Sequence, residues 1–171
     1  MARYRYVRSV DELRRETLDV VLLQIPGPPP DGSVPDRLRS WAQDARRILG
    51  IYPGVAPVIL TEWVASRQGC RIVESLLEAV ADHTEEPLEQ VAIANACFVY
   101  VLGRVMVERK VLSSGRRRSM PALASTPERF PRLAHVQSEF TTVNADRHFS
   151  IGLDALIHGL LDSTAPKAAR R

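Results

Sequence analysis

The stretch from Val91 to Val107 constrains this chain more than any other. It is apolar on nearly every side of the helix it would form, and such a helix is buried on more than one side. One side can face a core. The other needs a cavity, a partner chain or more core. Asn95 and Arg104 interrupt the stretch, so it falls short of a clean membrane span. The opening residues, Met-Ala-Arg-Tyr-Arg-Tyr, hold no apolar signal region. The expectation is a cytoplasmic protein without a membrane partner.

A chain of 171 residues is long enough to bury a core around that helix. Hydrophobic residues make up 45% and charged residues 25%, which excludes a disordered chain. Aromatics at 6% are too sparse for a tract that stacks on many bases. Two cysteines, Cys70 and Cys97, can neither staple a secreted scaffold nor supply a four-cysteine zinc site, and they read as small buried hydrophobes.

Helical punctuation recurs along the chain. Ser9 followed by Glu12 has capping-box spacing and opens a helix over Val10 to Ile25. The run Pro26-Gly27-Pro28-Pro29-Pro30-Asp31-Gly32 then breaks the chain. Ser33 with Pro35 and Asp36 opens the next helix, whose Val34, Leu38, Trp41, Ala42, Ala45, Ile48 and Leu49 trace one face. Gly50 and Pro53 end it. A short segment over Gly54 to Ala65 follows, with Pro57 in its first turn. Ser66 caps a helix through Asp82, and Thr84-Glu85-Glu86-Pro87 starts the longest one, to about Leu112. Ser113 to Thr126 reads as a basic loop. Phe130-Pro131 starts a helix to about Val143, Asn144 caps the last one to about Asp162, and the tail from Ser163 frays. No segment alternates with period two, so the fold class is all-α, a bundle of about seven helices.

Glycines sit inside two of these helices: Gly103 in the long one, Gly152 and Gly159 in the last. A helical glycine costs about 1 kcal/mol against alanine, and close helix-to-helix approach can offset that. The pattern fits a dimer interface built from both helices, or a tight monomeric core.

No motif for nucleophilic, phosphate-binding, dinucleotide or zinc chemistry is present. The histidines, His83, His135, His148 and His158, have no ligand spacing among themselves, and the pairs His135–Glu139 and Asp154–His158 are helix-stabilising in spacing. The chain is expected to be no enzyme and to carry no cofactor or metal. Trp41, Trp63, Phe98 and Met106 are large apolar side chains that either fill a core or wall a cavity for a hydrophobic ligand. Asn95, Tyr100 and Arg104 are polar groups within an apolar helix. They are satisfied by neighbours, face solvent, or orient a ligand by hydrogen bonds.

The excess charge lies at one end. Residues 1 to 15 hold five arginines against Asp11 and Glu12, a balance of +3, and the remainder is neutral. This marks either a polyanion contact or a solvated helix start.

Four segments, in order, resemble the TetR family of transcriptional repressors. Tyr4-Arg5-Tyr6-Val7-Arg8-Ser9-Val10-Asp11-Glu12-Leu13 resembles the junction where the family's recognition helix ends and its next helix begins. Tyr52-Pro53-Gly54-Val55-Ala56 is similar to its histidine-proline-glycine turn, with Tyr52 in place of histidine. Phe98 to Gly103 resembles its long interface helix, and Phe149 to Leu160 its final helix. The resemblance implies a ligand-responsive repressor that acts as a homodimer and binds a small hydrophobic effector. It divides the chain into a helix-turn-helix remnant (1–9), a ligand-binding and dimerisation domain (10–162) and a tail (163–171). It assigns Tyr4, Tyr6, Arg8 and Ser9 to a remnant of the DNA contact. Trp41, Trp63, Asn95, Phe98, Tyr100 and Met106 fall to the effector pocket, and Gly103, Phe149, Leu153, Leu156 and Leu160 to the dimer seam. Most of the family's DNA-binding head precedes the matched region, so DNA is an expected partner only with a fuller N-terminus. The alternative is a headless ligand-binding or partner-blocking protein with no DNA contact of its own.

Overall fold

A computed structural model of the chain describes residues 9–52, 54–62, 66–113, 127–136, 139 and 145–164. Among these, seven helices and no strands are found: α1 (Val10–Leu23), α2 (Val34–Ile51), α3 (Ala56–Glu62), α4 (Arg67–Ala81), α5 (Pro87–Ser113), α6 (Pro131–His135) and α7 (Ala145–Ser163). The all-α bundle expected from the sequence is the fold observed.

Three serines start three helices in the way their spacing predicts. Ser9 Oγ accepts from the Glu12 amide at 3.1 Å, Ser33 Oγ from Asp36 at 3.3 Å, and Ser66 Oγ from Gly69 at 2.9 Å. Each thereby satisfies an amide that the first helical turn leaves orphaned. Thr84, fully buried, does the same work ahead of α5. It accepts from the Glu86 amide, donates to Glu89, and its carbonyl accepts from Gln90. Where side-chain capping is absent, the helix is short. Phe130 offers no cap, α6 buries none of its side chains, and it ends at His135 instead of running to about Val143. Without an apolar face to bury, a helix gains nothing from tertiary packing.

α5 is the central post and packs against α2, α3, α4 and α7. Ile93, Ala94, Cys97, Phe98, Val101, Leu102 and Val105 are its buried residues. By length and composition alone, Pro87–Glu108 is apolar enough to cross a membrane. In this fold one side of it is core instead. α2 presents Leu38, Trp41, Ala42, Ala45, Ile48 and Leu49 to that core, the face read from its sequence. Cys97 is fully buried there, and burial pushes its thiol up to about 12. Cys70, expected inside, is exposed, because it lies on the outward side of α4 between buried Gly69 and Ile72.

α1 and α4 hold each other by their ends. Asp19 accepts from the Gln68 amide at the start of α4, at 3.1 Å. Arg71 donates to the Leu22 and Ile25 carbonyls at the end of α1, at 2.9 and 2.8 Å. Each side chain thus caps the other helix, a carboxylate at an N-terminus and a guanidinium at a C-terminus, as the helix dipoles favour.

Candidate functional site

The largest buried side chain is Trp41, at 1% exposure. It meets Phe98 of α5 with ring centroids 6.2 Å apart and planes 28° from parallel. Its indole Nε1 has no hydrogen-bond acceptor. Met106 is half-buried against the same core. Trp41 and Phe98 therefore share one wall of the bundle, as expected for an apolar pocket or an apolar core.

Tyr100 points elsewhere. Its hydroxyl donates to the Phe149 carbonyl at 2.9 Å, its ring lies 5.5 Å from the Phe149 ring, and burial raises its pKa, making it a weaker acid. The contact needs Gly152, because a Cβ there would collide with Tyr100 Oη and come within 3.1 Å of Cζ. This is the close approach of α5 to α7 that a glycine inside α7 suggests.

Beside that seam, α5 is bare. Leu88, Ala92, Asn95, Val99 and Gly103 recur at helical spacing and are all exposed, Leu88 at 76% and Val99 at 49%. α7 is bare along Ile151, Ala155 and Gly159, with Ile151 at 58%. Val99 adjoins Tyr100 in the chain and Ile151 adjoins Gly152, so the two stripes flank one seam. Gly103 and Gly159 have open space where a Cβ would stand.

A family model of the tetracyclin repressor-like C-terminal domain matches residues 26–164. The chain belongs to the TetR family. No curated protein matches it. Apo ActR from Streptomyces coelicolor is similar in structure, with a TM-score of 0.72, 21% identity, and coverage of 91% of this chain and 77% of that one. ActR in complex with actinorhodin gives 0.69 and 22%, covering 93% and 79%. A possible TetR-family transcriptional regulator from S. coelicolor A3(2) gives 0.80 and 18%, covering 94% and 82%. These neighbours share the fold.

Within this TetR-family bundle, the residues expected in the pocket do not all converge. Trp41 and Phe98 meet, and Met106 is half-buried against the same core. Tyr100 belongs to the α5–α7 seam, and Asn95 lies on the bare stripe between Ala92 and Val99. Trp63 lies outside the described residues. The expected dimer seam also divides. Gly103 faces outward, and Leu156 and Leu160 are half-buried. Phe149 and Leu153 are 1% and 0% exposed, so they are consumed by the protomer's own core and cannot meet a partner. Ile151, Ala155 and Gly159 are exposed on the same helix. Ser9 is seen as the N-cap of α1. Tyr4, Tyr6, Arg8, the loop arginines Arg116, Arg117 and Arg118, Asn144 and the tail beyond Thr164 lie outside the described residues.

The sequence reading missed an ionic face on α2. Arg39 Nε donates to Asp154 of α7 at 2.7 Å. Arg46 makes two bonds to Glu108 of α5, both 3.1 Å, and one to Asp146 of α7 at 2.8 Å, while its guanidinium lies 4.6 Å over the Phe149 ring. Burial works against the charge of Arg46, but the Glu108 and Asp146 hydrogen bonds outweigh it and raise its basicity. Around it opens a cleft of about 490 Å³, lined by Arg46, Arg47, Glu108 and Asp146 together with Gly50 and Phe149. Arg39 and Arg46 are seven apart on α2, and Asp146 and Asp154 eight apart on α7, in reversed order. That spacing is the signal of an antiparallel charged ladder. The ion pairs of Arg46 with Glu108 and Asp146 lie in the wall of this cleft.

Proposed function

We propose that this TetR-family chain is an effector-controlled repressor of transcription that works as a homodimer. The effector is a small hydrophobic molecule received in the core at Trp41, Phe98 and Met106. The partner is a second copy of the chain, seated on the bare stripes of α5 and α7. One observation carries this reading: adjacent residues of a single helix serve both faces. Phe98 is 3% exposed and lies against Trp41, whereas Val99 is 49% exposed. A ligand that shifts α5 from inside must therefore re-present its outer face. That is the physical content of coupling effector to subunit arrangement. The structural neighbour ActR, solved in complex with actinorhodin, supports a small-molecule effector for a chain of this fold. Any DNA contact belongs with residues ahead of Ser9, where the N-terminal arginines cluster.

Native mass spectrometry of the protein isolated from its own cells tests the reading. The expected result is a dimer, with part of the population carrying a small organic adduct. A monomer at micromolar concentration with no adduct overturns it.

A further inference from the structure

Two buried donors among the described residues lack an acceptor, Trp41 Nε1 and Arg104 Nε; the Arg104 guanidinium still donates through Nη2 to Glu108, whereas the Trp41 indole has no other polar atom. An indole N–H can only donate, and a buried one ordinarily finds an acceptor. Trp41 is 1% exposed, and Nε1 has none. Its companions on the inner face of α2, including Leu38, Ala42 and Ala45, carry no polar atom in their side chains. The only buried polar side chains among the described residues are Ser66 and Thr84, and both are engaged at helix starts. A trapped water is a poor remedy, because buried water needs two to four polar partners and this wall offers one.

Taking the proposed effector site as its basis, we infer that Trp41 Nε1 is the donor that orients the effector, and that the effector is a neutral, planar aromatic molecule bearing an acceptor oxygen, such as an aromatic ketone. The acceptor follows from the orphan N–H. A flat aromatic shape is the complement of a wall built on the Trp41–Phe98 ring pair, since aromatic rings favour one another in offset or edge-on contact. Neutrality follows from the apolar wall, because one N–H does not compensate a carboxylate for its lost water. Trp41 is thus more than an apolar wall.

The test uses the full chain labelled with ¹⁵N-tryptophan. It has two indole signals, from Trp41 and Trp63, and Trp63→Phe assigns them. Chromone (neutral, with a carbonyl), naphthalene (no acceptor) and chromone-2-carboxylate (anionic) are titrated in turn. Chromone is expected to move the Trp41 Nε1 proton downfield and to bind about tenfold tighter than naphthalene, the scale of one net hydrogen bond. The carboxylate is expected to bind more weakly than chromone. Replacing Trp41 with benzothienylalanine, which keeps the shape and deletes the N–H, removes the preference for chromone and leaves naphthalene unchanged. Equal binding of chromone and naphthalene to the natural chain overturns the donor role and leaves the pocket standing. So does a water signal at Nε1 that persists with chromone bound. Binding of neither compound, with both indole signals unmoved, overturns the donor role together with the pocket.

Discussion

α2 and α5 are both long core helices, and they treat their second face in opposite ways. α2 is sharply amphipathic. Its outer side is finished within the protomer by Arg37 to Asp82, Arg39 to Asp154, and Arg46 to Glu108 and Asp146. α5 is apolar nearly all round. Its inner side is core, and its outer side carries Leu88, Val91 and Val99 to solvent at 76%, 55% and 49%. Exposed single apolar residues are common on any protein, but an aligned stripe beside a second one marks a contact. α2 closes its polar face within the protomer, and α5 leaves an apolar stripe bare, the face that the proposed second copy would cover.

Substitutions on the two sides of α5 should separate these roles. Leu102→Ala, on the inner side, is expected to cost about 3–5 kcal/mol of folding stability, seen as a lower urea midpoint. Val99→Arg, on the outer side, should leave the protomer folded and weaken self-association on the order of 3 kcal/mol, read by sedimentation velocity, because two unpaired charges enter a symmetric seam. A dimer indifferent to Val99→Arg would remove the contrast between the helices. Gly152→Ala should cost about 2 kcal/mol by driving a methyl into Tyr100. Tyr100→Phe, which deletes the colliding oxygen, should recover part of that in a double-mutant cycle.

The smallest effect is a slope in pH. The Cys97 thiol keeps its proton to about 12 in the folded chain, against 9.0 for the ordinary group. The folded state therefore holds the extra proton between these values, and stability present below about pH 9 is lost as the pH rises. Up to about 1.4 kcal/mol per pH unit is at stake, so urea midpoints of the natural chain should fall faster than those of Cys97→Ala between about pH 9 and 11.

Much of the architecture was legible because its signals are local. Ser9, Ser33 and Ser66 announce helix starts by short-range hydrogen bonds, and Pro35 and Pro87 fit first turns. α2 was legible in its facing as well, since its apolar residues fall on one side. α5 was not. A helix without a polar side gives no phase from which to tell inside from outside, so Asn95, Phe98, Tyr100 and Met106 could all be placed in one pocket. Only the packing separates them. On α7 the apolar residues gave no facing either: Phe149 and Leu153 fill the core, while Ile151, Ala155 and Gly159 face out. Small residues draw little notice in a sequence, although they are what lets two helices approach.

The end-to-end hold between α1 and α4 has a mechanical consequence. Leu18, Val21, Leu22 and Ile25 are buried, and Asp19 and Arg71 tie the same end down. Leu13 through Thr17 are exposed. α1 is therefore a cantilever, fixed near Leu18 and overhanging toward Ser9 by about 13 Å at the rise of an α-helix. A tilt of about ten degrees at the fixed end moves the tip by about 2 Å. Whatever the chain carries ahead of Ser9 rides on that tip, and the Asp19–Arg71 clamp is the hinge plate on which the lever turns.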